Sequence, residues 1–294
     1  MQGEGRSVTR EVLIGCSTKS YLGVAGARAW ADTVARAVGA GTVPGPALYV
    51  CPPFPLLPLF LESLASLHVG VGAQDVSASP PGASTGEVSA ALLAELGVTY
   101  VMVGHPERHR VNPAEAALVP AKVGLASRAG LTPIIIVGEP DRDGDPRPLW
   151  RRQLREGLAE LTPGADLVIA YEPTWAIGQP RPAPPAHIVE AVTTILDLAR
   201  DHAAGARILY GGSADLGTFS EIAEEAARRA LRPPDGIFLG RAGLDAQRFL
   251  DTAREVLTTL GRLPGSVDAV PTGPTAHPEP TDAGQDIEVR PHPT

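Results

Sequence analysis

The sequence predicts a single-domain α/β fold, a (β/α)8 barrel in which eight parallel strands close on themselves inside a ring of helices. Three observations lead there. Eight short apolar runs recur along the 294 residues, and each precedes a longer stretch with helical signals. The runs are nearly continuous in apolar residues instead of alternating, as strands buried on both faces are. Length and a hydrophobic fraction of 44% suit one large core.

The eight predicted strands are Val12–Cys16, Ala47–Cys51, Val69–Ala73, Tyr100–Val103, Pro133–Val137, Leu167–Tyr171, Arg207–Tyr210 and Ile237–Leu239. Between them, Ala25–Val38 places its apolar residues on one stripe. Pro113–Ala129 reads as a helix opened by Asn112 as N-cap, with Pro113 in the first turn. Ala186–Ala203 and Asp215–Ala230 are also strongly helical. An open doubly wound sheet is the structural alternative for such a βα alternation. The barrel domain is expected over residues 11–262, after a short flexible N-terminus at 1–10. Residues 263–294 hold seven prolines and little that packs, and they read as a Pro-rich disordered tail.

Composition excludes several classes of function. A net charge of -8 and a pI near 5.4 argue against nucleic acid as a partner, because a phosphate backbone needs a basic footprint. A small anion is still open, since a few local groups hold it. No run is long enough to span a bilayer, so no membrane partner is expected. Met1–Arg10 lacks the apolar stretch of a signal peptide. The two cysteines, Cys16 and Cys51, each end an apolar run and read as buried reduced thiols of a cytoplasmic protein.

A barrel carries its chemistry at the C-terminal ends of its strands, so polar residues just after each apolar run are the candidates. Lys19 follows strand one in IGCSTKS and could neutralise a phosphate or a developing oxyanion, or be a surface lysine of the loop. His105 stands where strand four stops, with Pro106 suited to a first helical position. His105 and His109 are spaced i, i+4, but no third metal ligand is evident and no metal is expected. Glu172 follows strand six directly and is a candidate general base, the alternative being a capping glutamate in a long loop. The Pro-, Gly- and Ala-rich segment after it suits a lid. Gly211-Gly212-Ser213 and Gly240-Arg241 follow strands seven and eight, where backbone N–H groups commonly grip an anion. Glu139 also follows a strand. Read with Glu172 it would make a glycosidase pair, but the aromatic content of 4% is too low for a sugar groove, and a structural role is expected.

The strings AQDVSASPPGASTGEVSAALLAELGVTYVMVGHPERHR (Ala73–Arg110), AYEPTWAIG (Ala170–Gly178) and ILYGGS (Ile208–Ser213) resemble the triosephosphate isomerase family, and the resemblance runs from about Leu13 to Arg262. It implies a TIM barrel and an aldose–ketose isomerase of glycolysis and gluconeogenesis, interconverting dihydroxyacetone phosphate and glyceraldehyde 3-phosphate through an enediolate. It implies that Glu172 is the base, that His105 polarises the carbonyl and that Lys19 adds positive charge. It also implies an imidazole kept neutral by a helix N-terminus, a tuning for which this family is itself the standard example. Ser17 would face the substrate oxygen, and Gly178, Ser213, Gly240 and Arg241 would supply the phosphate grip. Glu107 would be a buried partner of Lys19. The loop from Pro173 would close over the substrate. No cofactor is implied. The segment Asp75–Glu87, with Thr85, resembles the loop that inserts into a neighbouring subunit, so a homodimer is expected.

The sequence departs from the family pattern at the site. Ser17-Thr18 stands where Asn-Trp is usual, Pro106 where Ser is usual, and Ile136 where Cys is usual. The loop after Gly178 reads Gln179-Pro180-Arg181-Pro182-Ala183, and Arg241 replaces a glycine. These departures resemble a branch that isomerises tetrulose phosphates such as erythrulose phosphate, which is the alternative substrate class. One carbon is worth only about 1–3 kcal/mol of discrimination in a pocket. A barrel that binds sugar phosphates without turnover is the alternative of another class.

Overall fold

A computed structural model describes residues 11–261. The expected flexible N-terminus at 1–10 and the expected Pro-rich tail at 263–294 lie outside the described residues. Eight parallel strands close into a barrel in sequence order: β1 (Leu13–Ser17), β2 (Leu48–Cys51), β3 (Gly70–Ala73), β4 (Tyr100–Val103), β5 (Thr132–Val137), β6 (Val168–Tyr171), β7 (Arg207–Tyr210) and β8 (Gly236–Leu239). Closure is made by β1 against β8, in register from Leu13 beside Gly236 to Cys16 beside Leu239. An open sheet would have left two unpaired edges, and the sheet of the described residues has none. Every strand lies within one residue of the run that predicts it.

The helices are α1 (Val24–Gly39), α2 (Leu57–Leu64), α3 (Ala90–Glu95), α4 (Pro106–Val111), α5 (Glu115–Arg128), α6 (Arg147–Gly157), α7 (Pro185–Ala199), α8 (Thr218–Arg228) and α9 (Ala246–Thr259). In α1 the buried residues are Ala27, Trp30, Ala31 and Val34, a stripe at i, i+3, i+4 and i+7 that faces the barrel. Trp30 also donates its Nε1–H to Gly243 O at 2.8 Å, which ties α1 to the loop after β8. One reading needs correction. Asn112 does not cap a helix beginning at Pro113. It ends α4, and its Oδ1 accepts from Ala114 N in a turn before α5 starts at Glu115. An Asx-type turn competes with the cap for the same side-chain oxygen.

The core has two layers. Strand residues facing outward pack with the helices, while Leu13, Tyr49, Cys51, Met102, Ile134, Val168, Leu209 and Phe238 fill the barrel interior. Tyr49 stacks on Phe238 with ring centroids 5.6 Å apart and lies 4.8 Å from Tyr100. The three rings form a packed floor beneath the C-terminal rim.

Gly138, just after β5, positions the next strand end. A Cβ there would lie 2.0 Å from the backbone O of Glu172. Gln153 of α6 clamps this glycine from outside, accepting from Gly138 N at 3.2 Å and donating to Gly138 O at 2.9 Å. Gly138→Ala is therefore expected to lose at least about 2 kcal/mol, because the neighbour is backbone and cannot swing away. A thermal melt checks this, and a melting temperature equal to that of the unsubstituted chain would contradict the packing.

Candidate active site

A cavity of about 610 Å³ opens at the C-terminal rim of the barrel, and Ser17, Lys19, His105, Glu107, Glu172, Gly178, Ser213, Gly240 and Arg241 all line it. These residues come from β1, β4, β6, β7, β8 and the loops beyond them. Thr85 is not among them. It is exposed in the loop between β3 and α3.

Lys19 adopts a left-handed backbone, φ 46°, unusual for a long side chain. Two contacts hold it there. Ser17 Oγ accepts from Lys19 N at 3.3 Å, and Gln74 donates its amide to both Lys19 O and Cys51 O at 2.9 Å. Lys19 Nζ then meets Glu107 Oε1 at 2.5 Å. The expected pairing is present, but Glu107 is not the expected buried partner. Its side chain is 40% exposed at the pocket rim. Partial burial pushes the Glu107 carboxyl up, and the Lys19 ammonium more than offsets this, so it rests below the ordinary carboxylate value.

His105 is the N-cap of α4, and Pro106 occupies the first helical position, as expected. The cap is made by the ring: His105 Nδ1 accepts from Glu107 N at 3.2 Å. An accepting Nδ1 carries no proton, so the neutral ring bears its hydrogen on Nε2. Burial pushes the imidazole down to about 4, with Glu107 opposing and Lys19 adding to the shift. The ring is therefore neutral at pH 7, a donor aimed into the cavity. His109 lines a separate cavity between α4, α5 and α6, so the two imidazoles face different spaces.

Glu172 is 5% exposed, and its Oε2 stands 3.6 Å from His105 Nε2. Among the described residues its carboxylate has no hydrogen-bond partner. Burial raises the carboxyl to about 8, with Lys19 lowering it and Glu107 adding to the rise. A raised carboxyl favours folding at low pH and costs stability as pH climbs from about 4.5 through 8. Glu172→Gln removes that cost. It is expected to melt several degrees higher than the unsubstituted chain at pH 9, and the difference should vanish near pH 4.5. A pH-independent difference in melting temperature would show that the carboxyl does not titrate differently on folding.

The segment after β6 starts with a 3-10 turn, Thr174–Ala176, and returns to the barrel at α7. Gly178 N donates to Ser213 Oγ at 2.9 Å, and Ser213 Oγ donates to Ala176 O at 2.7 Å. Ala183 N donates to Tyr210 Oη at 2.9 Å, while the Tyr210 hydroxyl donates to Gly212 O. Arg241 Nη2 reaches Gly178 O at 3.4 Å and has no acidic partner among the described residues. Asp215, also at the rim, is paired with Arg248. The mouth therefore carries the uncommitted cation of Arg241, although the chain as a whole is acidic.

Glu139 is buried and turns away from the cavity. Trp150, Trp175, Tyr171 and His187 all bond its carboxylate. Burial pushes its carboxyl up, but these hydrogen bonds outweigh burial and leave it below the ordinary value. A structural role is what the sequence predicts for it. Reading the sequence misses Gln74, Gln153, Tyr210 and His187. Gln74 was within reach, because it lies in the AQD string that carries the resemblance. The others act through contacts between distant segments, which no local pattern signals.

Comparisons with known proteins bear on the family and the fold. The family model for triosephosphate isomerase matches residues 12–256. Triosephosphate isomerase of Thermus thermophilus is 41% identical over 216 residues, covering 70% of this chain and 84% of that protein. L-erythrulose-1-phosphate isomerase of Pectobacterium atrosepticum is 35% identical over 262 residues, covering 85% and 97%. The crystal structure of triosephosphate isomerase from Bartonella henselae superposes with a TM-score of 0.68 at 30% identity, covering 84% of this chain and 99% of that one. A closed eight-stranded barrel, one rim cavity joining strand ends far apart in the chain, and a family match across nearly all the described residues converge: the chain belongs to the triosephosphate isomerase family and is an aldose–ketose isomerase.

Proposed function

We propose that this chain interconverts dihydroxyacetone phosphate and glyceraldehyde 3-phosphate, the step shared by glycolysis and gluconeogenesis. The observation that carries the reading is a buried carboxyl with no hydrogen bond among the described residues, Glu172, 3.6 Å from the Nε2 of a neutral imidazole, His105, in a cavity that also holds an ammonium, Lys19. Glu172 takes a proton from the carbon beside the carbonyl. The electron pair moves to the carbonyl oxygen, and an enediolate forms. His105 donates from Nε2 to that oxygen and relays a proton between the two enediolate oxygens. Lys19 stabilises the developing negative charge. Glu172 returns the proton to the neighbouring carbon, which completes the isomerisation. Ser17 faces the reacting oxygens. Gly178, Ser213, Gly240 and Arg241 hold the phosphate, and Glu107 supports Lys19. The loop at 173–184 acts as a lid, closing over the substrate and excluding water.

Two features favour a second reading, isomerisation of a tetrulose phosphate. Arg241 brings a guanidinium to the phosphate end of the cavity, and the Pectobacterium relative named for erythrulose phosphate aligns over 97% of its length. Parallel assays of the purified chain with dihydroxyacetone phosphate and with erythrulose phosphate decide between them. A kcat/KM higher for the triose supports the first reading. A higher value for the tetrulose replaces it with the second, and no turnover of either defeats both.

A homodimer and a cytoplasmic setting complete the reading. A smaller cavity of about 150 Å³, lined by Lys19, Gln74, His105 and Glu107, opens beside the site. In the dimer the Thr85 loop of one copy would enter this cavity of the other, and Thr85 is exposed in this chain. Light scattering of the purified chain tests the dimer. Both cysteines are free and buried, and no helix among the described residues is long and apolar enough to cross a membrane.

A further inference from the structure

We propose that His187 is a positioning residue for the lid, tying the helix at the lid's far end to the carboxylate that holds Trp175 at its near end. This rests on the lid reading of residues 173–184 given above. Glu139 Oε1 accepts from Trp175 Nε1 at 2.8 Å and from the Tyr171 hydroxyl at 3.1 Å. His187 Nε2 lies 3.1 Å from the same oxygen and 2.8 Å from the Tyr171 oxygen. With the phenol donating to Glu139, His187 serves both oxygens only with its proton on Nε2. A bare Nε2 would set a lone pair against a buried carboxylate. The imidazole also meets the Trp175 indole edge to face, with centroids 5.3 Å apart, and the Arg142 guanidinium stands 5.7 Å over the same indole.

The placement of these groups gives the latch its meaning. Trp175 is in the 3-10 turn that begins the lid, and His187 is in the first turn of α7, where the lid ends. One carboxylate oxygen therefore receives bonds from both ends of the moving segment. Without the His187 donor, a buried oxygen loses a partner and the indole loses a flanking ring. The lid then spends more time open. An enediolate phosphate that is uncovered can lose its phosphate: the carbon–oxygen bond to phosphate breaks with its electron pair leaving on the phosphate, and the enediolate electrons form the new double bond. The products are inorganic phosphate and an enol that becomes methylglyoxal.

The test uses the full chain labelled with 5-fluorotryptophan, with the Trp175 fluorine signal assigned by Trp175→Phe. His187→Ala, and His187→Asn with its shorter reach, should shift and broaden the Trp175 signal while the Trp30 signal stays in place. His187→Gln, whose amide N–H can reach Glu139, should restore it. With dihydroxyacetone phosphate as substrate, phosphate released per isomerisation should rise about tenfold in the Ala and Asn variants and not in the Gln variant. KM should rise more than kcat falls. A Trp175 signal or a phosphate ratio unchanged in either folded variant overturns the proposal, and the Asn variant decides the matter if the Ala variant does not fold. If the unsubstituted chain isomerises neither sugar phosphate, the proposed function fails, and the fluorine signal alone tests the latch.

Discussion

Glu172→Asp is expected to lower kcat by about 10²–10³-fold with little change in KM. The substitution keeps the charge and withdraws the carboxylate by one methylene. Proton abstraction depends steeply on the approach of base to carbon, and a displacement of about 1 Å can cost about 10²-fold. The substitution leaves in place the groups proposed to hold the phosphate, Gly178, Ser213 and Gly240, so ground-state binding should persist. Steady-state kinetics check this, and near-normal turnover would refute Glu172 as the base. The same residue sets the pH profile. A carboxyl near 8 is protonated and inactive as a base below that pH, so kcat/KM should fall about tenfold per pH unit on the acid side. His105, near 4, stays neutral throughout that range and should add no second limb.

Lys19→Ala should lower kcat/KM by about 10³-fold, with both kcat and KM affected. A preorganised charge aimed at a developing oxyanion is commonly worth about 10²–10³-fold in rate, and the same ammonium also attracts the anionic substrate. A second effect has a definite sign. Lys19 lowers the Glu172 carboxyl, so its removal should move the acid limb of the pH profile to higher pH. Loss of the 2.5 Å bond to Glu107 leaves that carboxylate only partly exposed and without its closest cation. A variant with unchanged kinetics would put Lys19 outside the chemistry. A fall in rate with an unmoved acid limb would show that Lys19 and Glu172 do not sense each other.

The strands were legible because each is buried on both faces and writes a continuous apolar run. The strand-end positions of Lys19, His105 and Glu172 were legible because a parallel barrel carries its rim residues directly after those runs. Helix starts were harder to read. Asn112 carries the side chain of a good N-cap, but the same oxygen makes a local turn equally well, and only the packing of α4 and α5 selects the turn. The exposure of Glu107 was also hidden. The resemblance implies its pairing with Lys19, and depth below the surface does not follow from a resemblance in sequence.

The sequence by itself determined eight βα units and, directly after their strands, the places of the three residues that bring a carboxylate, an imidazole and an ammonium to the rim, because periodicity and adjacency are local properties of a chain; that the sheet closes, with β1 beside β8, was decided by the tertiary structure. Only the tertiary structure decided their chemical states. Burial lifts Glu172 and depresses His105, the α4 backbone fixes the proton on Nε2, and Gln74 and Gln153 hold strand ends in place. The burial that shifts Glu172 and His105 comes from surroundings that the whole fold assembles, and Gln74 reaches Lys19 across 55 residues, so neither is written beside the residue on which it acts; the proton on His105 Nε2 is set locally, by the backbone two residues on.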